Sequence, residues 1–274
     1  MTSQHPLTDR TMVISGASRG IGLAIALAAA RHGANIVLLA KTVDPHPKLP
    51  GTVHTAVAEI EAAGGKGVAV VGDVRNEEDV QRAADTAVEH FGGIDFCVNN
   101  ASAIATQPTA DLSAKQFDLM QNINIRGSFL LTRSCLPHLR ESANPHVLTI
   151  SPPLNLNPRW LGAHPAYTLS KYGMTLLSLG WATEFGRYGI AVNCLWPQTY
   201  IATSAVANIE EGSLLSRSRS PQIMGDAAAE ILSRPAKSNT GNCHIDAEVL
   251  TESGIADLSP YGGGDDPIRD MFLD

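Results

Sequence analysis

Short hydrophobic runs alternate with longer segments of helical periodicity along the whole chain. The short runs are rich in Val, Ile and Leu and mostly uncharged, which predicts strands that are covered on both faces. The strands predicted in this way are Thr11–Ser15, Asn35–Ala40, Val68–Gly72, Ile94–Val98, His146–Ile150, Ile190–Leu195 and Asn242–Ala247. The segment Asn76–Phe91 illustrates the helical pattern, because its Val and Ala residues recur on one side of a helix.

This alternation predicts an α/β fold with a parallel sheet. Parallel strands are joined by right-handed crossovers, so helices are expected on both faces of the sheet. The whole chain, residues 1–274, fits one doubly wound (Rossmann) domain with about seven strands.

Two segments depart from the alternation. Residues 199–225 are rich in Ser and Ala and long for a connection, which predicts either a lid over a ligand or an ordinary surface excursion. Residues 251–274 are too rich in Gly and Asp to be expected in the core. This tail is expected either to cover the active site or to cross to a neighbouring subunit.

Composition narrows the function classes. The net charge is −7 and no long basic run occurs, which argues against nucleic acid as a partner. The N-terminus has no apolar segment typical of a secretory signal, and no apolar run is long enough to span a bilayer. The histidines and cysteines lack ligand spacing, so we expect no metal site, and the scattered thiols suit a reduced, cytoplasmic protein. These cysteines are Cys97, Cys135, Cys194 and Cys243.

A glycine-rich sequence, SGASRGIG, joins the first predicted strand to an Ala-rich helix. Glycines permit a tight turn and let backbone N–H groups approach a pyrophosphate, and the helix N-terminus favours negative charge. In the first strand–helix turn of an alternating chain, this pattern predicts a dinucleotide cofactor. The residues predicted to bind it are Ser15, Gly16, Ser18, Arg19, Gly20, Ile21 and Gly22.

The charge at the end of the second strand predicts which dinucleotide is bound. A carboxylate there would bond the ribose 2′-OH of NAD and repel a 2′-phosphate. Here Lys41 follows the strand and Arg19 lies in the glycine loop, while Pro45 is expected to turn Asp44 away. Two cations favour the extra phosphate, so NADP(H) is predicted and NAD(H) is the less favoured cofactor. The alternative is that Lys41 is an ordinary solvated lysine.

Three motifs together resemble the short-chain dehydrogenase/reductase family: SGASRGIG, Asn99-Asn100-Ala101 and the Tyr167-x-x-x-Lys171 pair. Two unusual stretches, LLAKTVDPHPKLPGTVHTA and ISPPLNLNPRW, are similar to one subgroup of that family. The resemblance implies an oxidoreductase that interconverts a carbonyl and an alcohol. It also implies a lipid-like or steroid-like small-molecule substrate and a homodimer or homotetramer.

The chemistry of the Tyr–Lys pair can be argued from the two residues themselves. A tyrosine hydroxyl has an unperturbed pKa of about 10, which is too high for easy proton exchange at neutral pH. Lys171 lies one helical turn from Tyr167 on the same face, and its positive charge is expected to lower the pKa of Tyr167. The resemblance implies that Lys171 also holds the nicotinamide ribose hydroxyls.

The resemblance implies further site residues. Asn124 matches a helix asparagine that holds a proton-relay water. Asp73 and Val74, after the third strand, and Asn99 and Asn100, after the fourth, match positions near the adenine and its ribose. After the sixth strand, the residues that match the contacts to the carboxamide and phosphates are Ile201 and Thr203.

One expected group is displaced. The resemblance implies a hydroxyl at the end of the fifth strand, but Pro152 stands there, and proline has neither hydroxyl nor N–H. Ser151 could supply the donor, or an amide of Asn155 or Asn157 could do so, or no donor exists. We take Ser151 as the candidate, and Trp160, Leu161 and His164 as residues that line the pocket or pack its loop. The rival to an enzyme is a non-catalytic NADP(H) sensor or interaction module.

Overall fold

The computed structural model describes residues 5–45, 50–207 and 214–274, and a single parallel sheet organises them. The strand order is β3-β2-β1-β4-β5-β6-β7, so the order reverses between β1 and β4. The strands are β1 Thr11–Ser15, β2 Asn35–Ala40, β3 Lys66–Val71, β4 Phe96–Asn99, β5 His146–Ile150, β6 Ala191–Trp196 and β7 Cys243–Ile245. The predicted α/β doubly wound fold is confirmed.

Helices connect the strands. They are α1 Gly20–Arg31, α2 Val53–Ala62, α3 Glu77–Phe91, α4 Ala114–Met120, α5 Gly127–Leu139, α6 Pro158–Ala163, α7 Pro165–Phe185, α8 Ser204–Ala207, α9 Gln222–Ser233 and α10 Asp246–Glu252. A π-helical turn, Gln121–Arg126, joins α4 to α5. Helix α3 agrees with the predicted helical segment Asn76–Phe91, and Asn76 is its N-cap. The side chain of Asn76 accepts a hydrogen bond from the N–H of Glu78 at 2.8 Å. The last predicted strand is shorter than expected because α10 begins at Asp246.

The core forms two layers, one on each face of the sheet. Helices α1, α2, α9 and α10 cover one face, and α3, α5 and α7 cover the other. Strand β1 shows why the runs are hydrophobic throughout: Met12 and Ile14 pack in the first layer, whereas Val13 packs in the second. In the first layer α1 and α9 approach closely, since a Cβ at Gly225 would lie 2.4 Å from the carbonyl oxygen of Ala24.

The two irregular segments meet over the carboxyl edge of the sheet, where parallel α/β folds bind ligands. The last residues of 199–225 form the first turn of α9, so the segment predicted as a lid ends before Gln222. Residues 208–213 of this segment lie outside the described residues. Its role as a lid stays a prediction.

The tail folds back onto the same edge. The N–H of Ile268 donates to the carbonyl of Arg217, and the N–H of Tyr200 donates to the carbonyl of Ile268. Tyr261 and Phe272 are buried, although the Gly- and Asp-rich composition argued against a core element. We call residues 261–274 the C-terminal strap. Asp270 and Met271 of the strap line a cavity at this edge of the sheet. The role of the tail stays a prediction.

No helix in the described ranges is long and apolar enough to cross a membrane.

Candidate active site

The glycine loop between β1 and α1 is built for close approach of backbone. Gly16 and Gly20 have φ angles of 71° and 59°, a region that favours glycine. A Cβ at Gly22 would lie 2.4 Å from Nδ2 of Asn100 and 2.6 Å from the carbonyl oxygen of Gly16. These glycines therefore keep open a cradle that larger residues would fill.

A groove of about 510 Å³ runs along this loop and over the ends of β1, β2 and β4. The N-terminus of α1 has no side-chain cap, so its N–H groups are available to an anion. The predicted cofactor residues that line the groove are Gly16, Ser18, Arg19, Gly20, Ile21, Gly22, Lys41, Asp73, Val74, Asn100 and Thr203. The other lining residues, which the sequence did not predict, are Leu39, Ala40, Thr42, Gly72, Ala101, Ser102, Ile123 and Ser204.

Ser15 shapes the groove from beneath and does not line it. It is buried, and its hydroxyl accepts the N–H groups of Asn100 at 3.2 Å and Ala101 at 3.1 Å. Asn100 in turn donates to the carbonyl of Ser15 at 3.0 Å. These bonds tie the glycine loop to the loop after β4. Asn99 lies in the core, where it donates to the hydroxyl of Thr132 at 2.9 Å.

Two cations lie at the end of the groove next to β2. Lys41 is half-exposed, and its ammonium lies 3.3 Å from Asp73. A hydrogen bond from Arg75, at 2.6 Å, is the main cause that holds the pKa of Asp73 well below its usual value. Arg19 donates to the carbonyl of Gly51 at 2.8 Å. Asp44 is not among the lining residues, so Asp73 is the only carboxylate that lines the groove in the described ranges.

A second, smaller cavity of about 170 Å³ adjoins the groove, and the two share Ile21, Asn100, Ser102 and Thr203. Tyr167 and Lys171 line it from one face of α7, one turn apart, as their spacing predicted. Ile201 also lines this cavity and not the groove. The cavity with the Tyr–Lys pair is therefore contiguous with the groove.

Burial dominates the electrostatics of the pair. The Lys171 ammonium donates to the carbonyl of Ile150 at 2.6 Å, and burial lowers the pKa of Lys171 to about 8. Burial also raises the pKa of Tyr167, and the nearby carboxyl of Asp270 raises it further. The expectation that Lys171 lowers the pKa of Tyr167 is therefore wrong for this arrangement. Burial of the phenol and the nearby Asp270 act against the expected lowering, and the ammonium of Lys171 is bonded to the carbonyl of Ile150.

Asn124 connects two elements of the site without lining the cavity. It is fully buried in the π-helical turn, where its amide oxygen accepts the N–H of Ala103 at 2.8 Å. Its amide nitrogen donates to the hydroxyl of Ser170 at 2.9 Å. Asn124 thus ties the loop after β4 to α7. Its part in holding a relay water stays a prediction.

The candidates for the displaced donor do not face the cavity. Ser151 is fully buried, and its hydroxyl lies beside the thiol of Cys194 without a hydrogen bond to the described residues. Asn155 donates to the carbonyl of Phe272 at 3.1 Å, and Asn157 caps α6 by accepting the N–H of Arg159. None of the three lines the cavity.

Asp270 of the C-terminal strap does line the cavity, although it was not predicted from the sequence. The signal in the sequence was weak: Asp270 directly precedes an apolar triplet, Met-Phe-Leu. A carboxylate beside an apolar triplet indicates a segment that returns to the protein surface, but it does not identify the partner.

Phe272 seats the strap against the site. Its ring lies among those of Tyr172, Trp196, Trp160 and Tyr167, with centroid distances of 5.2, 5.9, 6.0 and 6.3 Å. The φ angle of Phe272 is 71°, a conformation that costs a non-glycine residue energy and persists only when its surroundings hold it.

Of the residues proposed to line the pocket or pack its loop, none lines the cavity. Trp160 packs the loop and donates to Asp274 at 3.0 Å. Leu161 is exposed, and a ring nitrogen of His164 lies 2.7 Å from the carbonyl oxygen of Thr106. Loop packing is therefore the interpretation that the structure supports.

Comparisons with known proteins agree with the fold and the motifs. The family described as short chain dehydrogenase matches residues 10–213. Hydroxysteroid dehydrogenase-like protein 2 of Danio rerio is 52% identical over 270 residues, which are 98% of this chain and 65% of that protein. The chain spans between 51% and 65% of the length of the curated relatives to which it is similar. The resemblance to the family and to this subgroup is confirmed.

Solved structures are similar over nearly the same range. A short chain dehydrogenase from Mycobacterium thermoresistibile is 49% identical with a TM-score of 0.92, over 98% of this chain and 96% of that one. L-sorbose reductase from Gluconobacter frateurii, complexed with NADPH and L-sorbose, is 25% identical with a TM-score of 0.76, over 89% of this chain and 97% of that one.

Proposed function

Because the chain belongs to the short-chain dehydrogenase family of oxidoreductases, we propose that it interconverts a carbonyl and an alcohol with NADP(H) as its cofactor. The observation that carries the proposal is the position of Tyr167 and Lys171, in a cavity that adjoins the glycine-loop groove. The uncapped start of α1 and the cradle at Gly22 suit a dinucleotide pyrophosphate.

The bound cofactor would supply or accept a hydride at the substrate carbon. In the reductive direction Tyr167 gives its phenolic proton to the substrate oxygen, and in the oxidative direction the phenolate takes it back. Lys171 supplies the positive charge that stabilises the phenolate once its ammonium leaves the carbonyl of Ile150. Tyr167 and Lys171 are both almost fully buried, so water is largely excluded from the proton transfer.

The walls of the cavity favour an apolar substrate. Ile150, Trp196, Pro197 and Met271 line it beside the Tyr–Lys pair. Its volume of about 170 Å³ is below the range of about 300–1,000 Å³ that is typical for small-molecule pockets. We therefore propose that the cavity takes the reacting end of a lipid-like or steroid-like molecule, which agrees with the name hydroxysteroid dehydrogenase-like protein 2 of the relative from Danio rerio.

The preference for NADP(H) over NAD(H) rests on charge. Lys41 and Arg19 both line the groove, and the carboxylate of Asp73 is already bonded by Arg75. A 2′-phosphate would therefore meet two cations and an ionised carboxylate whose charge Arg75 already pairs. The reductase from Gluconobacter frateurii, which is complexed with NADPH, supports the same preference by similarity.

Assembly and location are part of the proposal. Leu169 and Leu176 on α7, and Phe129 on α5, are exposed large apolar side chains on long helices. Such a surface supports a homodimer or homotetramer. The cysteines Cys97, Cys135 and Cys194 are buried and free, which supports a reducing, cytoplasmic location.

Substrate turnover tests the proposal. The purified chain is supplied with NADPH and a panel of apolar aldehydes and ketones, and oxidation of NADPH is followed by its absorbance. We expect turnover of at least one carbonyl and a loss of about 100- to 10,000-fold in kcat for Tyr167→Phe, which cannot deliver the proton. Tyr188→Phe is the matched control, because Tyr188 lies on the turn after α7, between Arg140 and Arg187.

The replacement of a hydroxyl donor by Pro152 favours a second candidate, an NADP(H)-binding sensor without catalysis. It predicts tight NADPH binding and no oxidation of NADPH with any carbonyl of the panel. Equal rates for Tyr167→Phe and the unaltered protein would likewise refute the proposed mechanism.

A further inference from the structure

The cavity that holds the Tyr–Lys pair has polar groups on two sides. Asn100, Ser102 and Thr203 lie on the side that it shares with the cofactor groove. On the other side, the lining groups beyond Tyr167 and Lys171 that can donate a hydrogen bond through a side chain are Tyr200 and Asp270. A donor on this second side would leave the shared side to the cofactor.

Asp270 is held rigidly in place. Its N–H donates to the carbonyl of Gln198 at 3.0 Å, and one carboxyl oxygen, Oδ1, accepts the N–H of Met271 at 2.6 Å. The indole of Trp196 donates to the carbonyl of Met271 at 3.0 Å, which fixes the next residue of the strap. The carboxyl is therefore presented to the cavity by main-chain bonds on both sides.

Asp270 is only 8% exposed, and it lines the cavity that Tyr167 also lines. The N–H of Met271 bonds Oδ1 and not Oδ2, so the second carboxyl oxygen remains to meet a ligand in the cavity.

The charges around Asp270 favour its neutral form. Tyr167 and Lys171 face it from α7, Asp246 faces it from α10, and Tyr200 lines the same cavity. Burial is the main cause that raises the pKa of Asp270 to about 7; Asp246 raises it further and Lys171 lowers it. A neutral carboxyl carries an O–H and can donate a hydrogen bond, which a carboxylate cannot.

We propose that Asp270, carried by the C-terminal strap, is the catalytic hydrogen-bond donor that polarises the substrate carbonyl in place of the hydroxyl that Pro152 cannot supply. The proposal rests on the proposed function, because it assigns a third group to the same reaction. It also gives the strap a chemical role, since the site lacks this donor until the strap is seated.

The reductive step balances without a further reactant. A bound reduced nicotinamide would supply the hydride for the new C–H bond, so that the cofactor would be oxidised and the carbonyl carbon reduced. The π electrons of the carbonyl move to oxygen, and that oxygen takes the proton of Tyr167. Asp270 donates a hydrogen bond throughout and keeps its proton, and the Tyr167 phenolate regains a proton from solvent.

The experiment compares four variants of the full chain with the unaltered protein: Asp270→Ala, Asp270→Asn, Tyr200→Phe and Asp265→Ala. Asp265 is the matched control, because it is an exposed carboxylate of the same strap. The measurements are kcat/KM for the best carbonyl of the panel across pH, the Kd of NADPH, and tryptophan fluorescence. The last reports whether Phe272 remains packed against Trp160 and Trp196.

We expect Asp270→Ala to lose about 100- to 1,000-fold in kcat/KM, the usual cost of one such donor, with an unchanged Kd for NADPH. Asp270→Asn, whose amide also donates, should stay within about tenfold of the unaltered protein. In the unaltered protein kcat/KM should fall as the pH rises through about 7, because the donor ionises. That fall should be absent in Asp270→Asn.

The outcomes separate this inference from the proposed function. If Tyr167→Phe is inactive while Asp270→Ala keeps full kcat/KM, the inference is overturned and the proposed function stands. In that case, a loss of kcat/KM in Tyr200→Phe alone would assign the donor to Tyr200. If Asp270→Asn is as slow as Asp270→Ala with native tryptophan fluorescence, a donor role is overturned. If the unaltered protein turns over no carbonyl, both proposals fail.

Discussion

The buried carboxyl of Asp270 should make the stability of this protein depend on pH in a direction opposite to that of most carboxylates. Its pKa is raised to about 7 in the folded state from its usual value of 3.8, mainly by burial. Between these two pH values the folded protein holds a proton that the unfolded chain has released. The stabilisation is thus fully present below about pH 4 and is lost as the pH rises through about 7.

The magnitude follows from the width of that window. Each pH unit between the two pKa values changes the free energy of unfolding by about 1.4 kcal/mol. From pH 5 to pH 8 the contribution of Asp270 therefore falls by about 2.7 kcal/mol. Asp246, whose pKa burial raises to about 6, acts in the same direction, so only a comparison with a variant isolates Asp270.

The perturbation is Asp270→Asn, which removes the titration but keeps an oxygen to accept the N–H of Met271. Urea denaturation at pH 5 and pH 8 gives the free energy of unfolding of both proteins. We expect Asp270→Asn to gain about 2.7 kcal/mol relative to the unaltered protein on going from pH 5 to pH 8. If the free energy of unfolding depended on pH in the same way in both proteins, the claim that burial raises the pKa of Asp270 would be refuted.

Two further predictions concern the groove. Gly22→Ala should raise the Kd of NADPH at least about tenfold and destabilise the fold by about 1–3 kcal/mol, because its Cβ meets the amide of Asn100. The control is Gly93→Ala, where a Cβ meets no atom within 4 Å. It should change neither the Kd from NADPH titration nor the melting temperature of the protein. Lys41→Glu should lower the kcat/KM with NADPH relative to the kcat/KM with NADH by at least about tenfold. The reason is that a carboxylate replaces a cation that would contact the 2′-phosphate. The exposed Lys115→Glu on α4 is its control, and an unchanged ratio in Lys41→Glu would place the phosphate elsewhere.

The fold was predictable because its signals are local and repeated. Continuous apolar runs predicted strands covered on both faces, and β1 alternates Met12, Val13 and Ile14 between two packed layers. The spacing of the glycines predicted the groove, because it reflects a steric need for backbone to approach backbone. The spacing of Tyr167 and Lys171 likewise predicted one helix face.

The donor was not predictable from the same kind of signal. Adjacent residues at the end of a strand face opposite sides, and Ile150 lines the cavity, so Ser151 points into the interior beside Cys194. Asp270 reaches the cavity only through contacts with segments distant in sequence, such as Gln198 and Trp196. Local periodicity carries no information about such contacts.

The pKa of Tyr167 shows a similar limit. The sequence predicted a neighbouring positive charge, but the direction of the shift depends on how deeply the phenol is buried and where the ammonium of Lys171 is bonded. Both are properties of the packed structure.

The most direct test of the central claim is a single-turnover measurement with NADPH bound to the protein. The rate of NADPH oxidation after mixing with a reactive carbonyl is compared between the unaltered protein and Tyr167→Phe, with the Kd of NADPH measured for both. We expect equal Kd values and a rate that is lower by about 100-fold or more in Tyr167→Phe. Equal rates of oxidation in the two proteins would contradict it.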